Sequence, residues 1–328
     1  MSKSDLLTIE PDYEPGVDPT PYPELQALAE RAEQSFWTRT ELDFSEDTRD
    51  WNHKMNDKQR AFVSHALAFF AASENRVIQN LAQWFLSNTQ IPEARVFYGL
   101  QIGIETIHEQ TYRQIIEVLI TDVNERRRLF QAVNTIPTIA AKDAWAAKWI
   151  ADKDASYGER VIAYAAVEGI FFSASFLTIY YVKSHLRILP GVCFSNELIS
   201  RDEALHCAFA VAIMKAKLVN GPSKTRIQAI IREASEIEID YVRAGLRSDL
   251  IGLQVSTVVE YVKYVTDRLL HQLECESIYN VNTCPVSFMT WIGLQVKTNF
   301  FEQRVSDYQL PPSDNMFNDE GDDETAVF

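Results

Sequence analysis

The sequence predicts an all-α protein: a bundle of long helices, four of which enclose a polar centre. Three observations predict it. Apolar residues recur at helical spacing over stretches of roughly 20–30 residues. Glycine fills only 11 of 328 positions, so tight turns are few. Ionisable side chains also sit inside the apolar stripes: Glu74, Glu105 with His108, Glu168, and Glu203 with His206. Taking such groups out of water costs several kcal/mol unless a partner or a metal compensates.

Residues 1–23 carry Pro11, Pro15, Pro19, Pro21 and Pro23 among acidic residues, which predicts a flexible N-terminal arm. A helical domain is expected over 24–304. Its first helix spans 24–38 and ends in Phe36 and Trp37, and 42–51 reads as a charged connector. From 56 to 86 a stripe of Val63, Leu67, Phe70, Ala71, Ile78, Leu81 and Phe85 contains Glu74. Asn88 to Pro92 breaks the chain before a helix over 94–120. That helix carries Glu105, His108 and Tyr112 on one face, beside Phe97, Gln101 and Ile104. Arg126, Arg127 and Arg128 read as a solvated helix face.

The helix expected over 156–184 includes Val161 to Val182, where Glu168 is the only charge. A run of this length could cross a membrane. Glu168, together with the tyrosines and serines around it, favours the central helix of a large bundle instead. Pro190 and Gly191 mark a turn into a helix over 194–218 that carries Asp202, Glu203 and His206, and Asn220 to Pro222 close it. Amphipathic helices over 224–245 and 250–272 read as structural, and 284–304 is less regular. Residues 305–328 form an acidic tail opened by two prolines. Its apolar points, Met316, Phe317, Val327 and Phe328, are too few for a core and suit docking into a partner's groove.

The net charge of −15 and pI near 4.9 disfavour nucleic acid and anionic membrane as partners, because phosphates would be repelled. The four cysteines are far apart and no signal peptide opens the chain, which points to a reducing cytoplasm. Cys207, although it follows His206, points about 100° away on a helix and reads as a small core residue.

One Glu-x-x-His is weak. Two of them, with a solitary Glu on each of two further helices, make the donor set of a dinuclear metal site in a four-helix bundle. Carboxylate and imidazole donors without cysteine suit iron or manganese rather than a structural zinc. Two divalent ions bring four positive charges against four carboxylates, so burying the set together becomes tolerable. Phe172 and Phe176 continue the Glu168 stripe and Ile199 precedes Glu203 by one turn, so all three are expected to converge around the phenol of Tyr112.

The segments FFAASE, FYGLQIGIETIH, AVEGIFFSASF, FSNELISRDEALHC and KTNFFEQRVSDYQ resemble the small, radical-generating subunit of class I ribonucleotide reductase, in its eukaryotic and viral branch. The resemblance covers roughly residues 37–308 and implies a ferritin-like fold that acts as a homodimer. By this resemblance Glu74, Glu105 and His108 hold one iron and Glu168, Glu203 and His206 the other, with Glu105 and Glu203 bridging. It further implies that Tyr112 stores the radical. Trp37 and Asp202 open an electron path, Tyr308 passes the hole on, and the acidic tail docks on the large catalytic subunit that reduces ribonucleoside diphosphates. In one departure, Glu74 stands where the family usually has Asp, which leaves a manganese/iron site open beside di-iron. The same donor set also serves a dinuclear-iron oxygenase or desaturase, a ferritin-like storage protein, or a metal-free helical scaffold with salt bridges. An oxygenase would need a substrate cavity where Phe172, Phe176 and Ile199 are expected, and a storage protein would form a cage.

Overall fold

The computed structural model describes residues 14–16, 18–216 and 221–289. Twelve α-helices are found among them, with no strand beyond one isolated bridge between Pro15 and Asp18. In order along the sequence they are α1 (Pro23–Gln34), α2 (Ser45–His53), α3 (Asp57–Asn80), α4 (Pro92–Leu119), α5 (Val123–Phe130), α6 (Ala132–Thr135), α7 (Pro137–Ala151), α8 (Tyr157–Ala166), α9 (Ser173–Tyr181), α10 (Pro190–Lys215), α11 (Lys224–Asp240) and α12 (Val255–Gln272).

The long elements start where local chemistry dictates. Asn56 caps α3 and exchanges hydrogen bonds with Gln59, and Ser156 does the same with Glu159 at α8. Prolines open α1, α4, α7 and α10, at a position where the missing N–H is no loss. Helix α3 runs along α4, α8 runs along α10, and α4 meets α10, so these helices form the inner bundle. Helices α1 and α2 lie against one side of it, and α11 and α12 cover α8 and α9.

Helices α8 and α9 belong to one 30-residue rod, Tyr157–Leu186, widened into π turns at Val167–Phe171 and Val182–Leu186. The rod has the length and apolarity of a membrane span, yet 94% of its most apolar window is buried inside the protein. Packing against the other helices accounts for its composition.

Three expectations need correction. Residues 42–51 are not simply a connector: Ser45–His53 is helical, and its buried face consists of Asp47, Asp50 and Trp51. The acids look inward because they cap α10. Asp47 accepts from Gly191 N at 2.9 Å and Val192 N at 2.7 Å, while Asp50 accepts from Leu189 N at 2.9 Å. Pro190 and Gly191 consequently lie in the first turn of α10 rather than ahead of it. Gly191 is required there, since a Cβ would sit 2.3 Å from the Asp43 carbonyl and 2.7 Å from Asp47 Oδ2. Finally, α1 stops at Gln34, and Trp37 leaves the helix to reach the centre of the bundle. Helix α7, unanticipated from the sequence, supplies Lys142. The expected tail, Tyr308 and residues 290–304 lie outside the described residues.

Lys142 and Glu238 form a fully buried ion pair beside the π turn at Val167–Phe171. The widened turn interrupts the regular backbone ladder, and the pair fills the gap. Lys142 Nζ donates to Phe171 O at 2.8 Å, and Glu238 Oε1 accepts from Ala174 N at 3.3 Å. The ammonium also lies 3.8 Å from the Phe69 ring centroid and 3.5 Å from that of Tyr241.

His65, stacked on Tyr241 at 5.7 Å, has an Nε2 with no hydrogen-bond partner among the described residues. Burial, with the positive charges of Lys142 and Arg128, pushes its pKa down to about 4. A histidine whose folded pKa is lowered gives stability that is present above pH ~6.5 and lost as pH falls through 4. At most about 3 kcal/mol is at stake. Urea unfolding of metal-free protein at pH 7 and pH 5 should therefore show a smaller drop for His65→Leu than for the parent, and equal drops would contradict this account.

Candidate metal centre

Each of the six sequence-predicted metal-site residues sits in the inner bundle: Glu74 on α3, Glu105 and His108 on α4, Glu168 in the π turn after α8, and Glu203 and His206 on α10. All are buried, Glu74, Glu105 and His108 completely. They form two overlapping groups. Glu74, Glu105, His108 and Glu203 present ligand-type atoms within 4.8 Å of one another, and so do Glu105, Glu168, Glu203 and His206. Glu105 and Glu203 belong to both.

The distances within the groups are short. His108 Nδ1 is 3.1 Å from Glu105 Oε2 and 3.1 Å from Glu203 Oε1. His206 Nδ1 is 3.0 Å from Glu105 Oε1, 3.0 Å from Glu203 Oε2 and 3.7 Å from Glu168 Oε2. Both imidazoles thus turn Nδ1 towards the carboxylates. Neither oxygen of Glu74 or of Glu168 has a hydrogen-bond partner among the described residues.

Burial, reinforced by the charges of Glu105 and Glu203, holds the Glu74 carboxyl well above the usual carboxylate range. Burial and the nearby Glu203 do the same to Glu168. Burial alone would lower the imidazole pKa values. For His108 the hydrogen bonds with Asp202, Glu105 and Glu203 outweigh it, and for His206 the charges of Glu105 and Glu203 do, so both are raised well above the ordinary value. For Glu203 burial is outweighed in the other direction by Glu168 and His206, and its carboxyl stays ionised. Without a cation the cluster takes up protons to balance its charge. Orphaned buried carboxylates facing paired imidazoles, with no thiolate, are the donor chemistry that two iron or manganese ions require. The residues fit such a centre.

Tyr112, one turn beyond His108, is buried, and its Oη has no hydrogen-bond partner among the described residues. Its ring stacks on Phe70 at 4.6 Å with a 4° interplanar angle. Phe70 in turn meets Phe172 at 6.0 Å and Phe176 at 5.1 Å. Phe172, Phe176 and Ile199 are all buried. The ring in face contact with the phenol is Phe70, which sequence reasoning left in the general core stripe. Its spacing, one turn before Glu74, is the signal that could have found it.

Trp37 Nε1 donates to Asp202 Oδ2 at 2.7 Å, and the same oxygen is 3.1 Å from His108 Nε2. Asp202 therefore links the indole to the far side of a candidate ligand imidazole. The Trp37 and His108 rings lie 5.9 Å apart. Arg201 donates to the other Asp202 oxygen at 3.1 Å and to Ser35 O at 2.8 Å, fixing the carboxylate. Sequence reasoning also missed Tyr164, one turn before Glu168, whose Oη accepts from Gln101 Nε2 at 2.6 Å.

The family model for ribonucleotide reductase, small chain, matches residues 17–285. A ribonucleoside-diphosphate reductase small subunit from Arabidopsis thaliana is 45% identical, with 100% of this protein and 97% of that one covered. The small subunit from vaccinia virus (strain Ankara) is 46% identical, over 91% and 93%. Among solved structures, the Saccharomyces cerevisiae Rnr4 homodimer of ribonucleotide reductase superposes with a TM-score of 0.76 at 30% identity, covering 90% of this protein and 89% of that one. A profile match over most of the sequence, near-full-length relatives and the shared helical fold agree, and the chain belongs to the ribonucleotide reductase small-chain family.

Proposed function

We propose that this small subunit of ribonucleoside-diphosphate reductase holds a dinuclear metal centre on Glu74, Glu105, His108, Glu168, Glu203 and His206 and stores an oxidising equivalent on Tyr112. The observation that carries this reading is the pair of overlapping buried groups, which share Glu105 and Glu203 as natural bridges. When bound, the metal pair supplies the reduction of dioxygen and the oxidation of a neighbouring phenol.

The protein's part is to fix the donors and keep water out. Among the described residues Tyr112 Oη has no hydrogen-bond partner, and the Phe70 ring, backed by Phe172 and Phe176, covers the buried phenol. Burial, reinforced by the carboxylates of Glu74, Glu203 and Glu105, holds the phenol pKa well above its ordinary value. Trp37, tied through Asp202 to His108, is the exit for an electron hole, with Tyr308 in the tail as the next carrier. The large subunit, docked on the acidic tail, binds and reduces the ribonucleotide. Homodimerisation and a cytoplasmic setting follow by family likeness. We favour di-iron. Because Glu74 reaches one methylene further than Asp, manganese/iron is the alternative, decided by the metal content of protein from its own host. The recess beside His206, lined by Phe97, Gln101, Ile104, Asp202 and Leu205, holds about 10 Å³, room for at most a single water.

Two measurements test this. Metal-loaded, oxygen-treated protein mixed with a cognate large subunit should convert a ribonucleoside diphosphate to its deoxy form, and deletion of residues 313–328 should abolish turnover at low concentration while leaving the radical signal. Unchanged turnover after that deletion would contradict the docking role, and no turnover from radical-bearing full-length protein would contradict the function. Separately, adding ferrous or manganous ion to metal-free protein in weak buffer near pH 7 should release protons from Glu74, Glu168, His108 and His206. Affinity should accordingly rise with pH. Metal uptake without proton release would argue against these ligands.

A further inference from the structure

The side of the cluster away from Tyr112 carries a second buried phenol. Tyr164 stands four residues before Glu168, one turn along the same helix, and is only 3% exposed. Its Oη is held by the Gln101 amide at 2.6 Å, and that amide nitrogen also lies 3.4 Å from Glu105 Oε1. Because Gln101 uses its N–H as donor, the phenol oxygen accepts there and its own proton is free to point to Glu168. Tyr112 has no comparable hydrogen bond.

A phenol loses an electron readily only if its proton has somewhere to go, since the oxidised phenol is a strong acid. A neighbouring carboxylate within one helical turn provides that place for Tyr164. Beyond the phenol the packing is aromatic. Phe85 touches Tyr164 at 5.0 Å, Tyr98 at 5.5 Å and Tyr157 at 5.8 Å. The Tyr98 and Tyr157 hydroxyls are 3.2 Å apart, and Tyr157 meets Thr89 Oγ1 at 2.8 Å. Tyr164 also lines a narrow groove with Trp145 and Trp149, whose indole N–H groups have no acceptor among the described residues. Tyrosines therefore lie behind Phe85 on the Tyr164 side, whereas the ring on Tyr112 is Phe70, backed by Phe172 and Phe176.

We infer that Tyr164 is a second one-electron donor to the metal centre, a discharge residue that acts when Tyr112 does not supply its electron. The inference rests on the dinuclear reading above. With an oxidised metal pair held by these ligands, Tyr164 would give up one electron to it and its Oη proton to the Glu168 carboxylate, becoming a neutral phenoxyl. The O–H bond would be the one broken, with the electron taken up by the metal pair and the proton by Glu168, so no net charge would appear in the dry interior. The hole on Tyr164 is then refilled through the Tyr98, Tyr157 and tryptophan side, away from the Trp37 exit, which protects the ligands from oxidation.

The test uses the full-length protein with Tyr112→Phe, loaded with ferrous ion, alone and with an equal amount of manganous ion, then exposed to dioxygen and frozen rapidly. Electron paramagnetic resonance should show a transient phenoxyl signal whose hyperfine pattern collapses when ring-deuterated tyrosine is incorporated. The signal should be lost in Tyr112→Phe/Tyr164→Phe, with iron uptake equal in the two variants. After repeated cycles, peptide mass spectrometry should place a nitroso spin-trap adduct at Tyr164. The same signal in the double variant, or full metal oxidation in Tyr112→Phe with no phenoxyl, would overturn the role of Tyr164 while leaving the metal centre standing. Failure of both variants and the parent to take up iron would instead remove the dinuclear reading and this inference with it.

Discussion

Tyr112→Phe is expected to abolish ribonucleotide reduction while leaving metal uptake and the fold as they are. The substitution removes one oxygen atom from a ring that is buried against Phe70 and makes no hydrogen bond through that oxygen. Nothing structural is lost. An unpartnered buried hydroxyl is a cost rather than a gain, so unfolding free energy should stay within about 1 kcal/mol of the parent or rise slightly. Phenylalanine cannot release a proton with its electron, so the stored equivalent has no home. Reductase turnover with the large subunit should fall to background and the stable radical signal should vanish. Iron uptake and its absorbance should persist. Retained turnover would remove Tyr112 from the mechanism, and lost iron uptake would mean that the phenol supports the ligands instead.

The site was more legible in the sequence than the frame that holds it. Glu74, Glu105, His108, Glu168, Glu203 and His206 stand out because helical periodicity turns an ionisable residue on an apolar stripe into an anomaly, and all six converge. Helix α2 lacked that signal, since its inward face carries Asp47 and Asp50, which serve another helix's free N–H groups across more than a hundred residues of sequence. Such caps are tertiary, so neither periodicity nor propensity betrays them. Trp37 is similar: local spacing continues α1 through it, but its bond to Asp202 draws the backbone out of the helix. The π turn around Glu168 was equally hidden. Its one-residue excess is stabilised by Lys142 and Glu238, two ordinary charged residues on helices remote in sequence.

That pair gives the second large effect. Lys142→Met should destabilise the metal-free protein by about 3–5 kcal/mol, because it leaves Glu238 buried without its counter-charge and the Phe171 carbonyl without a donor. Replacing both residues, as Lys142→Met with Glu238→Leu, should recover much of the loss, since apolar groups fill the space without stranding a charge. The pH dependence separates this from simple packing. Burial raises the Glu238 pKa to about 7 and lowers that of Lys142 to about 8. A raised carboxyl contributes stability that is present below its unfolded value and lost as pH rises through 7; a lowered ammonium contributes stability present above its unfolded value and lost as pH falls through 8. The parent should show a shallow stability minimum between pH 7 and 8, and the double variant should lack it. Urea midpoints from about pH 5 to about pH 10, on both sides of the minimum, decide. A single variant within 1 kcal/mol of the parent, or a minimum that survives the double replacement, would mean that the kink beside Glu168 holds its shape without Lys142.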